Sequence, residues 1–237
     1  MRRFLIFAVL ILCGIGNAAP IRSMIGAKYS MLNATSSSEP LPEGMVAVEY
    51  LQSSQTQWID TGLPGNMQRL TIDLKIYPVT WRRYGGMVGN FVANAANAVR
   101  LGFADSDNSK VIMGANCKGG QSTGSDGLYV IYVPNLKEHW HDVHFDIDAS
   151  RVRIDDVATT SSSVGTDNST TIRLFNGGSG SNGSSVRISS FVAYQNGVKI
   201  RHLIPVRYDN VGCMYDLVSR EVFYNKGTGT FIIGPDL

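Results

Sequence analysis

Trp81-Arg82-Arg83-Tyr84-Gly85 is the stretch of this chain best suited to touch a ligand. Two large rings flank two guanidinium groups. Pro78 lies just upstream, and the stretch has no two-residue alternation, so it reads as a loop. Exposed rings stack on pyranose faces, and neighbouring polar groups fix the hydroxyls. The chemistry implied is sugar recognition by Trp81, Arg82 and Tyr84. The alternative for Trp81 is a lid over the edge of a core.

Hydrolysis has weaker footing. Retaining glycosidases place two carboxylates about 5–5.5 Å apart, and on one strand that means acids two positions apart. Beyond the first residues the glutamates are Glu39, Glu43, Glu49, Glu138 and Glu221, and no two have that spacing. Asp146 and Asp148 have it, as do Asp105 and Asp107, but both pairs read as solvated turn carboxylates. Cys117 sits in Asn116-Cys117-Lys118-Gly119-Gly120 with no base partner implied, so nucleophilic catalysis is unsupported.

Two metal readings arise. His139, His141 and His144 are close, but on a strand His144 takes the face opposite the other two. Three ligands on one zinc would require a bend. Asp105, Asp107 and Asn108 offer hard oxygens in a loop, which makes them the calcium candidates. No other cofactor is implied.

The elements that must position these residues are strands. In Glu138–Val157, Val143, Phe145 and Ile147 point one way while Asp142, His144 and Asp146 point the other. After a polar turn the pattern resumes at Val152 and Ile154. This is a half-buried antiparallel hairpin. Leu70, Ile72, Leu74 and Ile76 alternate with Thr71, Asp73 and Lys75. Asn196-Gly197 sits between Tyr194 and Val198, a strong hairpin signal because both residues accept positive φ.

Further strands are expected near Val46–Tyr50, Met87–Phe91, Val99–Phe103, Val111–Ala115, Ile172–Phe175, Val186–Tyr194, Met214–Leu217, Val222–Tyr224 and Phe231–Ile233. Leu128–Val133 reads as an inner strand. Ala158–Ser185 reads as two exposed loops around one strand. Twenty-five glycines and no sustained 3.6-residue period complete the pattern. The class is all-β, a two-sheet antiparallel jelly-roll sandwich.

The first residues give an address. Met1-Arg2-Arg3 is basic, Phe4–Ile15 is apolar, and Gly16-Asn17-Ala18-Ala19 is small and polar. That order is a secretory signal peptide over residues 1–18, cut after Ala18. The apolar run is too short for the ~20 residues of a membrane span, and no second run follows. Residues 19–45 read as a flexible lead-in and residues 46–237 as the domain. The leader carries two of the 21 Lys+Arg, so the rest balance the 19 Asp+Glu. A neutral chain has no electrostatic draw to nucleic acid or anionic lipid.

Cys117 and Cys213 remain after Cys13 leaves. In an oxidising compartment they either close a disulfide or stay as two buried thiols. Asn33, Asn168 and Asn182 each open a glycosylation triplet, which matters only in a eukaryotic secretory path.

Three segments resemble laminin-G-like domains with a concanavalin A-like jelly roll. Trp140-His141-x-Val143, two strands and Asp155-Asp156 resemble their W-H-x-V signature, which often ends in D-G. Val48-Glu49-Tyr50-Leu51-Gln52-Ser53-Ser54-x-Thr56-Gln57-Trp58-Ile59-Asp60-Thr61-Gly62 is similar to the opening of a bacterial subgroup. Tyr usually stands at the Trp58 position. Ile204-Pro205-Val206-Arg207, Gly212-x-Met214-Tyr215-Asp216-Leu217-Val218-Ser219 and Phe223-Tyr224-Asn225-x-Gly227-Thr228-Gly229-Thr230-Phe231 are similar to its close. The matches span about Val46 to Pro235.

The resemblance implies a secreted or cell-surface protein whose partner is a glycan or another extracellular ligand. A fold of this kind serves many functions. The leading expectation is non-catalytic carbohydrate recognition. The alternatives are a structural spacer subunit of a surface assembly and a glycoside hydrolase.

Overall fold

Residues with alternating apolar side chains bury one face and wet the other, and this protein does so twice, in two sheets. The computed structural model describes residues 40–82, 84–90, 98–104, 109–117, 129–160, 169–177 and 183–237. Among them are seventeen strands and no helix. In chain order they begin with β1 Met45–Ala47, β2 Leu51–Gln52, β3 Ile59–Pro64, β4 Leu70–Thr80, β5 Gly86–Gly89 and β6 Ala98–Phe103. Then come β7 Lys110–Cys117, β8 Tyr129–Tyr132, β9 His141–Asp146, β10 Arg151–Ile154, β11 Val157–Thr160 and β12 Thr171–Leu174. β13 Ser185–Gln195, β14 Val198–Tyr208, β15 Val211–Asp216, β16 Val222–Phe223 and β17 Ile232–Ile233 complete them.

Sheet I runs β11-β10-β9-β4-β13-β14-β15-β16, with β1 on β14 and β2 between β13 and β17. Sheet II runs β3-β12-β5-β6-β7-β8. The pairings between strands are antiparallel throughout. The chain changes sheet at β3, β4, β5, β9, β12 and β13, the crossing habit of a jelly roll rather than of a simple meander. The expected all-β sandwich is the fold observed.

Between the sheets lies one core. Sheet I supplies Leu70, Ile72, Leu74 and Ile76 from β4, Val143 and Phe145 from β9, and Ile188 and Phe191 from β13. Sheet II answers with Ile59, Leu101, Phe103, Val111, Met113, Ile172 and Leu174. Full burial of each such side chain contributes roughly 1.5–3 kcal/mol. The β9–β10 hairpin buries Val143, Phe145, Val152 and Ile154, as the alternation requires. Asn196 and Gly197 adopt φ of 53° and 76° in the two-residue turn joining β13 to β14. Positive φ at both positions is the mirror-image turn that suits twisted hairpins. In the Asp155-Asp156 turn only Asp155 is left-handed, at φ 48°, so Asp156 needs no glycine.

Two expectations change. β8 is not an inner strand. It is the edge of sheet II, with Val130 44% and Tyr132 58% exposed. Its apolar composition hid its position, because a continuous apolar run carries no facing information. The Ser/Thr-rich stretch after Ala158 does not start as a loop. Val157–Thr160 pairs with β10 as the edge of sheet I, and β-branched threonine suits such a strand. The packed unit runs Pro40–Leu237, with Leu41 and Met45 seated on Val206, Cys213 and Tyr215.

That small second cluster corrects the disulfide expectation. Cys213 is a free, buried thiol. It is one residue before Met214, which faces the main core. Alternation therefore turns Cys213 to the outer side of sheet I, under Leu41 and Met45. Cys117 lies on β7 in sheet II, so the two half-cystines belong to different sheets and Cys213 faces away from the other one.

Two outcomes follow from this packing. Phe145→Ala is expected to cost about 3–5 kcal/mol in urea unfolding, since the ring is wholly buried. Burial pushes the Cys213 thiol up to about 11. At pH 8 the native Cys213 should resist iodoacetamide and label only after denaturation; peptide mapping that finds rapid native labelling at Cys213 contradicts this packing.

Candidate functional site

The loop that looked best in the sequence is largely occupied. Trp81, just past β4, is half-buried and packs against the core. Its indole Nε1 is buried without a partner. The Arg82 Nη1 donates to Gln55 Oε1 at 2.6 Å. The Arg82 carbonyl accepts from Gly85 N at 2.8 Å, and Tyr84 is left-handed inside that turn at φ 55°. Trp81 is thus a lid on the core edge. Asp105, Asp107 and Asn108, the calcium candidates, lie outside the described residues, as does Gly120-Gln121-Ser122-Thr123-Gly124, a G-x-S-x-G spacing that the reading of nucleophilic catalysis as unsupported overlooked. Among the described residues, no three His, Cys, Asp or Glu side chains form a metal-sized group.

The histidines separate as their strand dictates. His141 is buried and turns Nδ1 on Asp155 Oδ2 at 2.6 Å and Nε2 on the Leu136 carbonyl at 3.1 Å. The Asp155 Oδ1 accepts from Asp142 N at 3.0 Å. His144 faces the other way, to Asp73 at 2.7 Å. His139 Nδ1 meets the Lys137 carbonyl at 2.9 Å. The W-H-x-V signature and its aspartate turn are therefore one structural cross-link.

Asp216 organises the end of sheet I. Its side chain has no exposed surface. It accepts from His202 N at 2.7 Å, Val218 N at 3.1 Å, Ser219 N at 3.1 Å and Ser219 Oγ at 2.7 Å. The Arg201 guanidinium closes the set at 2.9 Å. Burial alone pushes this carboxyl up. The hydrogen bonds from His202, Ser219 and Val218 outweigh it and hold Asp216 below the usual carboxylate range.

Asp216 thereby fixes the turn into β16, and β16 forms one wall of an open groove of about 510 Å³. Its lining includes Asp60 and Gly62 on β3 and Glu221, Phe223, Tyr224 and Lys226 around β16. Beside the groove, the segments around Trp58 and Asn225 are stitched together. Asn225 Oδ1 accepts from Trp58 N at 3.1 Å and Gly227 N at 2.8 Å. Lys226 N donates to the Trp58 carbonyl at 2.8 Å. A Cβ at Gly227 would strike the Thr56 carbonyl oxygen, so only glycine fits. Arg201 lies over the Phe223 ring at 4.9 Å, and Glu221 is 68% exposed.

A second constellation is aromatic and polar. On the outer face of sheet I, a row of side chains crosses the strands. Arg187 on β13 stands opposite Tyr77 on β4 and opposite Gln52 on β2. Gln52 in turn stands opposite Ile232 on β17. Trp140, one residue before β9, meets Tyr77 edge-on at 5.3 Å and Tyr50 at 6.3 Å. The Arg187 guanidinium sits 4.5 Å over Tyr50 and 4.7 Å over Tyr77. The Arg187 Nε donates to Gln52 Oε1 at 2.8 Å. Ile76, Ile188 and Leu51, each adjacent to a member of the row, face the core. With neighbouring strands ~4.8 Å apart, the row from Trp140 to Gln52 is about 14 Å long. Trp140 is 38% exposed.

In the sequence Trp140 stands in a signature segment that reads as core packing or strand-end anchoring, and Tyr50, Tyr77 and Arg187 are not singled out as site residues. The available signal was parity: Tyr77 and Arg187 each lie one residue from a core isoleucine, so both had to face outward. What parity cannot supply is which outward residues become neighbours, since that depends on strand order.

No family model and no curated protein sequence matches this chain. Among solved structures it is similar to a native heptameric SAP-like pentraxin from Limulus polyphemus, at 12% identity and a TM-score of 0.43. That likeness covers 80% of this chain and 94% of the pentraxin. Among the described residues no helix is long and apolar enough to cross a membrane.

Asp216 yields a pH-dependent outcome. A carboxyl held below its unfolded value of about 3.9 adds stability that is present above that pH and lost as pH falls through the lower folded value. Asp216→Asn should lower stability by roughly 3–5 kcal/mol at pH 7, because Arg201 loses its buried partner. Urea titrations from pH 7 down toward pH 2 should show the gap between native and variant narrowing only below about pH 4. A gap constant across that range would show that the Asp216 charge does not contribute.

Proposed function

We propose that this protein is a secreted, non-catalytic recognition module that binds a carbohydrate on the outer face of sheet I. The observation that carries the reading is the Trp140–Tyr77–Arg187–Gln52 row with Tyr50 beside it. Sugar rings bind flat aromatic faces through apolar C–H surface, and their hydroxyls need amide or guanidinium partners. The row offers an exposed indole, two phenols, an amide and a guanidinium on adjacent strands. These side chains stand on paired strands rather than on loops, so their spacing is set before a ligand arrives.

Export supports the same reading. The basic, apolar and small-residue order of residues 1–18 suits a secreted protein, and extracellular sites are where glycans are met. Glycoside hydrolysis is the second reading. It rests on Asp60 and Glu221, two carboxylates that line one groove from opposite ends of the chain. Reducing-sugar release abolished by Glu221→Gln would favour it.

The recognition reading is tested by a glycan array followed by calorimetry on the strongest ligand. Trp140→Ala should weaken binding by about tenfold, equivalent to ~1.4 kcal/mol. Trp81→Ala, if folded, should leave affinity within about twofold, since that ring belongs to the core edge. Undiminished affinity in Trp140→Ala would sink the assignment of the site.

A further inference from the structure

We infer that the row recognises an anionic sugar, one carrying a carboxylate, with Arg187 as the residue that selects the charge. The inference rests on the recognition reading above and adds the ligand's chemical class to it.

Arg69, Arg82, Arg201 and Arg207 each hold a side-chain oxygen acceptor with a terminal guanidinium nitrogen. Arg187 does not. Its Nε is bound to Gln52, and among the described residues no carboxylate lies within ion-pair distance of it. A guanidinium without a counter-charge on an exposed face is ordinarily solvated and mobile. Here it is clamped between the Tyr50 and Tyr77 rings, and Gln52 fixes its plane. Tyr50 is itself seated against Gly234, where an added Cβ would lie 2.9 Å from the Tyr50 backbone nitrogen.

The consequences are chemical. Stacking on two rings uses the face of the guanidinium and leaves its edge. With Nε committed, the remaining donors are the two terminal nitrogens. Two parallel N–H donors match the two oxygens of a carboxylate. The ordering cost of the arginine is already met by the clamp, so the anion gains more of the interaction. Trp140, on the far side of Tyr77, supplies the apolar contact for a sugar ring. Trp140 and Arg187 stand two strands apart, about 10 Å, which is longer than the reach from a sugar ring to its own carboxylate, so the ligand is a short acidic oligosaccharide rather than a lone sugar acid.

The test uses the full secreted chain and a matched probe pair, tri-galacturonate and its fully methyl-esterified form. The ester removes the charge and the paired carboxylate acceptors and adds one methyl group per carboxyl, so the ratio is read against the same pair on Arg187→Gln. Native protein should bind the acid about tenfold tighter than the ester, and the preference should shrink as salt rises. Arg187→Gln should bring the ratio to about one. Arg187→Lys keeps the charge but loses the fork, so it should retain about two- to threefold. Unchanged melting of Arg187→Lys shows that any loss is not unfolding. Equal affinity of the native protein for acid and ester, with both weakened by Trp140→Ala, overturns the charge selection and leaves sugar recognition standing. A preference that survives in Arg187→Gln overturns the role of Arg187. Failure to bind the acid, the ester, cello-oligosaccharides and chito-oligosaccharides alike ends both readings.

Discussion

A buried negative charge must be satisfied on every side, and Asp216 obeys that constraint at the end of sheet I. Its carboxylate has no exposed surface and takes donors from three backbone nitrogens, one hydroxyl and one guanidinium. Those donors come from two places in the chain: β14, through Arg201 and His202, and the turn that follows β15. Any movement of the turn would strand the charge, at a cost of several kcal/mol. The turn therefore has one conformation. It sends the chain into β16, sets Glu221 and Phe223 on the groove wall, and leads to Asn225, which stitches the C-terminal signature to Trp58. In this segment Val218 and Ser219 donate to the Asp216 carboxylate, Leu217 N donates to the His202 carbonyl, and Tyr215 packs with Val206 and Cys213.

The second organising constraint is parity. One face of sheet I closes the core against sheet II, and the other carries the small Cys213 cluster and the row from Trp140 to Gln52. The same alternation that buries Ile76 and Ile188 presents Tyr77 and Arg187. A row of polar and aromatic side chains on the outer face thus costs the fold little, because its members occupy positions that the core does not claim. The groove is built differently. It lies where β3, an edge of sheet II, approaches β16, an edge of sheet I, and its residues are already busy with each other. Arg201 is shared by Asp216, Phe223 and Glu221, and Asn225 is spent on the backbone. Arg187 contrasts with this, since its partners are rings and an amide and none carries the opposite charge.

Fold class was legible because strand periodicity, turn chemistry and glycine content all pointed one way. Asn196-Gly197 announced a hairpin, and the positive φ at both residues confirms the reason. β8 and β11 were misjudged for one physical cause: edge and centre are properties of sheet order, which local composition does not encode. An apolar run stood at an edge, and a Ser/Thr-rich run stood in a ladder. The candidate site was less legible. Trp81 was conspicuous because it stood among charged loop residues, yet it serves the core edge. Trp140 stood inside a signature segment, yet it is one of the exposed rings.

The sequence by itself determined parity: which side of each strand is apolar, where the chain must turn, and that two such faces must close on one another. It determined the buried partners of Asp216 only as a motif. The tertiary structure decided adjacency. Tyr50, Tyr77, Trp140 and Arg187 are scattered over more than half of the chain, and they meet because β2, β4, β9 and β13 are brought side by side in sheet I. The separation of Cys213 from the strand that carries Cys117 was settled in the same way. Side-chain direction follows from local backbone geometry, whereas strand neighbours follow from the packing of the whole core, and no short window of residues contains that information.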